Sequence, residues 1–309
     1  MKSVRDCFLR VKKNCFKLIK YQETSTNKFK NKDRMLKSYL IPLCFWISKK
    51  INRKKPLIIG IAGGQGTGKT TITSIVSLIL RKYFKLNVFE TSIDDFYKTR
   101  KERRILSLTK HPLLMTRGVP GTHDHKIISN FFKNIKRKHF KVIKLPKFDK
   151  SIDDRCKTKL WHKVKSKPDV VIFEGWCIGA KSQDTKKLKK PINSLERDKD
   201  PNLIWRKYVN TQLKKNYKKL FNHLDEIIYL KSSSFKLLQE WRIIQEKRLW
   251  LNSKKKKNLK VMSKGDVINF MQTYQRITQN MFKDTPKYAS IIFKLDSKHQ
   301  INSSTYKKK

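Results

Sequence analysis

Leu57-Ile-Ile-Gly-Ile-Ala-Gly-Gly-Gln-Gly-Thr-Gly-Lys-Thr-Thr71 is the stretch on which the reading of this chain turns. Leu57 to Ala62 is a short run rich in β-branched residues, the right length for one buried strand. Gly63 to Thr70 then satisfies G-x-x-x-x-G-K-[ST], and Ile72, Ile75, Val76, Ile79 and Leu80 recur at helical spacing up to Tyr83. Strand, glycine turn and helix therefore follow one another, the context in which this pattern becomes a site. The glycines let consecutive backbone N–H groups point into one hollow, and the helix adds the positive end of its dipole, so the hollow favours a polyphosphate. Gly63, Gly64, Gln65, Gly66, Thr67, Gly68, Lys69, Thr70 and Thr71 are the candidate cradle. Lys69 is expected to reach the terminal phosphates and Thr70 to hold Mg²⁺.

Downstream the pattern alternates. Leu86 to Ile93 reads as a strand, Ile127 to Lys136 as a helix and Val142 to Leu145 as a short strand. Val170-Val-Ile-Phe173 is wholly apolar and ends in Glu174, as a buried parallel strand does. Residues 181–202 are polar, hold Pro191 and Pro201, and read as a loop. A helix over Trp205 to Leu224, a strand over Glu226 to Leu230, helices over Phe235 to Leu251 and Asp266 to Phe282, and a closing strand over Ile291 to Leu295 complete the series. Strands alternating with helices predict an α/β fold with a mostly parallel sheet and helices on both faces. Upstream, residues 1–38 read as a basic N-terminal extension, with an apolar helical patch over Tyr39 to Ile47; residues 301–309 read as a basic tail.

Carboxylates at the carboxyl edge of such a sheet are placed for chemistry. Asp94 and Asp95 follow a strand in Ser92-Ile-Asp-Asp-Phe-Tyr97, and a carboxylate there can accept the proton of an attacking hydroxyl or simply cap a turn. Glu174 can reach Mg²⁺ beside the phosphate loop, or cap in the same way. Arg117-Gly-Val-Pro-Gly-Thr-His-Asp124 joins rigid turn residues to polar tips, which suits recognition of a small ligand as well as a plain turn. His123 and His125 form H-x-H without further ligands, too little for zinc.

Composition bounds the rest. Lys+Arg 75 against Asp+Glu 24 gives +51, while 38% hydrophobic residues over 309 exclude wholesale disorder. No apolar run approaches the ~20 residues of a membrane span. Five scattered cysteines without a C-x-x-C pair fit a reduced, cytoplasmic setting, and the basic N-terminus also fits a transit peptide. The lysines are spread along the chain without interleaved aromatic platforms, so no specific nucleic-acid partner is expected and the charge reads chiefly as compositional bias.

Gly63 to Thr70, Ser-Ile-Asp-Asp-Phe-Tyr-Lys-Thr-Arg100, Arg117 to Asp124, Phe148-Asp-Lys-Ser-Ile-Asp-Asp-Arg155 and Phe-Glu-Gly-Trp-Cys177 together resemble the plant and yeast type of D-glycerate 3-kinase, within the phosphoribulokinase and uridine kinase family. Asn193-Ser-Leu-Glu196, Trp205 to Asn210, Trp241 to Glu246 and Tyr274 continue the likeness over roughly residues 39–300. The resemblance implies a P-loop NTPase fold with a helical lid at about 235–260. It implies transfer of the γ-phosphoryl group of ATP to a hydroxyl of D-glycerate, a small anionic acceptor, with ATP and Mg²⁺ as the cofactors. It further implies Asp94 as general base, Glu174 on Mg²⁺, and Asp124 on substrate hydroxyls. Asp95, Tyr97, Arg100, Arg117, His123 and Arg155 line the acceptor, and Arg242 or Arg248 closes from the lid. A nucleoside or pantothenate kinase is the alternative within the superfamily. An ATP-dependent nucleic-acid-binding switch is the alternative outside it.

Overall fold

The computed structural model describes residues 3–23, 29–253 and 262–307. Among them ten strands run in chain order: β1 (Leu57–Gly63), β2 (Val88–Ser92), β3 (Ile143–Leu145), β4 (Phe148–Asp149), β5 (Asp154–Arg155), β6 (His162–Val164), β7 (Val170–Gly175), β8 (Glu226–Lys231), β9 (Ile291–Leu295) and β10 (Ile301–Tyr306). Six of them form one sheet in the order β10-β9-β8-β1-β7-β2. β1 lies parallel between β7 and β8, β2 pairs parallel with β7, and β9 parallel with β8; only β10 runs antiparallel. The fold is thus the mostly parallel α/β sheet that the alternating pattern predicts. β1 and β7 are buried along their whole length, which explains why both read as unbroken apolar runs.

Two features of this order position the site. The chain leaves β1 towards β2 and β7 on one side and continues to β8 and β9 on the other, so the crevice beyond the carboxyl end of β1 is the switch point where open α/β sheets take ligands. Register does the rest. Glu174 is level with Ile61 of β1 and Ser92 of β2, so the phosphate loop after β1, the turn after β2 and the end of β7 open on one edge.

Three segments differ from the sequence expectation. Residues 301–306 are strand β10 rather than a tail: mostly polar side chains suit a half-exposed edge strand, and Tyr39 Oη donates to the Asn302 carbonyl at 2.9 Å to fasten it. The N-terminal region is not a loose extension. The helix Val4–Gln22 buries Cys7, Phe8, Val11, Cys15 and Ile19 along one stripe and packs on the Lys69–Lys82 helix. Single apolar residues between lysines make such a stripe without any apolar run. Residues 181–202 also hold a short helix, Ser194–Lys199, capped by the Asn193 side chain. In the segment expected as a lid, 235–253 is the helix Phe235–Ser253, which packs against Lys264–Tyr288; residues 254–260 lie outside the described residues.

Candidate active site

Gly66 and Gly68 adopt φ of +78° and +81°, a region that glycine enters without strain, and this turns the loop back over the start of the Lys69–Lys82 helix. A Cβ on Gly64 would lie 2.3 Å from Leu238, and one on Gly66 would lie 2.9 Å from Trp241 Cβ. The Phe235–Ser253 helix therefore presses directly on the loop. Lys69 Nζ donates to the Gly64 carbonyl at 2.9 Å, folded back across the hollow. His299 Nε2 lies 2.8 Å from the Gly66 carbonyl, and its ring stacks on Trp241 with centroids 3.9 Å apart.

Thr70 Oγ1 donates to Glu174 Oε1 at 3.0 Å. Burial raises the Glu174 carboxyl, offset in part by Lys69; burial likewise depresses Lys69, offset by Glu174 and Asp94. A hydroxyl beside a carboxylate is the pair of oxygen donors that Mg²⁺ accepts when phosphate and water complete its shell. No cluster of three or more His, Cys, Asp or Glu suited to a metal occurs among the described residues.

Across the crevice stands Asp94, in the turn Ile93–Phe96 that follows β2. Tyr97 Oη donates to its Oδ1 at 3.0 Å and Lys150 Nζ to its Oδ2 at 2.7 Å. Burial alone would raise the Asp94 carboxyl, but Lys150, His123 and the Tyr97 hydroxyl outweigh it and hold the group at about 2. Asp95 points elsewhere: its Oδ1 accepts from the Phe148 amide at 3.4 Å, and its Oδ2 lies 3.7 Å from His162.

The 117–124 segment closes the crevice on the Asp94 side. His123 is fully buried, stacks on Tyr97 at 4.4 Å and meets Tyr217 Oη with Nδ1 at 2.6 Å. Burial lowers its pKa to about 3, so the ring is neutral. Asp124 caps the His125–Ile135 helix through the Ile127 amide and accepts from Arg155 Nη2 at 3.2 Å. Arg155 also donates to the Tyr97 carbonyl at 2.7 Å. Arg117 pairs with Asp153 and lies over the Phe148 ring. Arg100 is exposed and shares an outer hollow with Lys101, Arg104 and Met115; its backbone amide donates to Asp154 Oδ1 at 3.0 Å. In the Phe235–Ser253 helix Arg242 Nη2 pairs with Glu246 at 2.7 Å; the Arg248 side chain lies outside the described residues.

The structure thus gathers Lys69, Thr70, Glu174, Asp94, Tyr97, His123, Asp124 and Arg155 at one sheet edge, and leaves Asp95 and Arg100 beside it. It also adds residues that sequence reasoning did not single out. Lys150 lay inside a quoted motif without a role. Tyr217 stands 94 positions from the histidine it holds and carried no sequence signal. Asp153 anchors both Arg117 and the buried Arg103.

No family model matches the chain. An uncharacterized kinase, mug58, of Schizosaccharomyces pombe is 30% identical over 256 residues, covering 80% of this chain and 85% of that one. The chloroplastic D-glycerate 3-kinase of Arabidopsis thaliana is 28% identical over 227 residues, 67% of this chain but only 47% of that protein. Among solved structures, D-glycerate 3-kinase from Cryptococcus neoformans var. grubii superposes with a TM-score of 0.70 at 23% identity, covering 87% of this chain and 97% of that one. With the phosphate loop opening on a crevice lined by carboxylates, and a relative aligned over most of both chains, the chain belongs to the phosphoribulokinase and uridine kinase family of P-loop small-molecule kinases.

Proposed function

We propose that this kinase transfers the γ-phosphoryl group of ATP to a hydroxyl of D-glycerate. The observation that carries the acceptor is the state of the aromatic rings on its side of the crevice. A nucleoside needs a free aromatic face for its base. Tyr97 is stacked on His123 at 4.4 Å and meets Phe148 edge-on at 5.2 Å, while Phe96 is buried against Phe173. What the side offers instead is cations and hydrogen-bonding groups, the recognition chemistry of a small hydroxylated anion. The likeness to D-glycerate 3-kinases supports the same choice.

In this reading the loop 63–71 holds the triphosphate, and Lys69 leaves the Gly64 carbonyl to meet the phosphates. Thr70 and Glu174 hold Mg²⁺, which supplies charge neutralisation on the transferred group when bound. Asp94, ionised at neutral pH, orients the acceptor hydroxyl and takes its proton. Tyr97 positions Asp94, His123 and Asp124 meet acceptor hydroxyls, and Arg155 and Arg117 hold the segments that carry them. Arg242 faces the phosphates from the lid helix. The test is acceptor-dependent ADP release from the full chain with D-glycerate, glycerol, uridine and pantothenate, and with Lys69→Ala as control. D-Glycerate is expected to be the preferred acceptor and Lys69→Ala to lose at least about 10²-fold in kcat. Turnover of uridine or pantothenate without turnover of D-glycerate would refute the assignment.

A further inference from the structure

Lys150 follows β4 in the hairpin that β4 and β5 form, and it makes the shortest contact of Asp94. Its side chain is 61% exposed, against 30% for Asp94. A lysine is a compact charge on a flexible stem, so redirecting an exposed one costs little. Other cations of the crevice have different partners: Arg117 pairs with Asp153, Arg155 with Asp124 and the Tyr97 carbonyl, and Lys69 rests on the Gly64 carbonyl. Lys150 alone among these is paired with the carboxylate that the proposed reaction needs as its base.

That pair has two consequences. A carboxylate oxygen engaged by an ammonium is a poorer proton acceptor and is blocked to a hydroxyl. Bringing a second carboxylate into the crevice, on the other hand, offers Lys150 an equivalent partner, whereas an uncharged alcohol offers none. We infer that Lys150 selects acceptors that carry a carboxylate, by exchanging Asp94 for the carboxylate of a short hydroxy acid and so releasing Asp94 to the acceptor hydroxyl. The inference rests on the phosphoryl-transfer reading above. In the transfer itself the acceptor oxygen forms the new O–P bond as the bond to the ADP oxygen breaks. Asp94 receives the hydroxyl proton and later passes it to solvent, and Lys150 takes no part in the proton transfer.

The groups facing Asp94 are Lys150 from the hairpin, Tyr97 from its own turn, His123 from the 117–124 segment, Lys69 and Glu174 from the phosphate side, Cys177 after β7, and Tyr274 from the Lys264–Tyr288 helix. Among those that lower the Asp94 carboxyl, Lys150 acts most strongly.

The experiment compares wild type, Lys150→Met and Lys150→Arg as full chains at saturating ATP, with D-glycerate, L-glycerate, 3-hydroxypropionate, glycerol and uridine as acceptors. Lys150→Met is expected to raise KM for the preferred hydroxy acid about tenfold or more, while leaving glycerol turnover no worse and KM for ATP unchanged. The acid limb of its kcat/KM profile should move to higher pH, since Asp94 has lost its nearest cation, and Lys150→Arg should recover most of the KM. Equal losses on acid and glycerol, or an unchanged KM for the acid, would overturn the inference. Turnover of L-glycerate or 3-hydroxypropionate but not D-glycerate would refute only the D-glycerate reading, and Lys150→Met on that acid then decides the inference. Turnover of uridine or glycerol alone, or of no acceptor, would overturn both.

Discussion

Two adjacent carboxylates, Asp94 and Asp95, show how one residue step leads to different surroundings. After β2 the turn sends Asp94 into the crevice beside Lys150 and Tyr97, and Asp95 back towards the Phe148 amide and His162. Sequence offered both as strand-end acids and ranked them only through resemblance. The geometry supplies the physical distinction: Asp94 faces Lys69 and Glu174 across the phosphate hollow, while Asp95 fastens the β4 segment. Asp94→Asn is therefore expected to lower kcat by roughly 10²-fold or more with KM for ATP little changed, as the loss of a general base does. Asp95→Asn should cost less than tenfold in kcat and show up chiefly as reduced stability. Steady-state kinetics of the two variants side by side checks this, and a larger kcat loss at Asp95 would reverse the roles.

At the scale of elements, much of the motif likeness downstream of β7 is structural rather than chemical. Asn193 caps the Ser194–Lys199 helix, and the buried Glu196 is bonded by Arg276 at 2.7 Å and lies 3.6 Å from Arg206. Arg206 in turn donates to Asp200 at 2.8 Å and to the Leu188 carbonyl at 3.1 Å. This network ties the Ile204–Gln212 helix to the Lys264–Tyr288 helix, which carries Tyr274 over Gly118. A fully paired buried network is costly to break from one side, because the remaining charges stay desolvated. Arg206→Met should lower unfolding free energy by about 3–5 kcal/mol in urea titration. A loss below about 1 kcal/mol would mean that neighbouring cations or water satisfy Asp200 and Glu196 without it.

For the molecule as a whole, burial of titratable groups sets a pH dependence of stability. Burial holds His123 at about 3 in the folded chain, against 6.5 in its ordinary state, and also depresses His125 and His223. Below about pH 6.5 the unfolded chain then binds more protons than the folded one, so stability rises with pH through this range. The contribution is fully present above pH 6.5 and is lost as pH falls towards 3. Asp94, held at about 2 against 3.8, acts in the same sense at still lower pH. Thermal unfolding followed by circular dichroism should show Tm falling steadily from pH 6.5 to 4, with a shallower slope in His123→Gln. A flat Tm over that range would contradict the buried neutral state of His123.

Local pattern alone determined a good part of this protein. The phosphate loop, the strand before it, the helix after it and the buried strand ending in Glu174 were legible because each is set by nearest-neighbour chemistry: glycine's access to positive φ, apolar periodicity, and continuous apolarity in strands buried on both faces. Where pattern was diluted, it misled. The stripe of Val4–Gln22 is interrupted by lysines, and β10 is mostly polar because only one side of it needs covering. How the site's residues meet was beyond local pattern, since their contacts join distant positions: Lys150 to Asp94 across 56 residues, Tyr217 to His123 across 94, and Thr70 to Glu174 across 104. Those pairings exist because the sheet order places β2 and β7 on one side of β1 and aligns their carboxyl ends, and strand order is a property of the packed core.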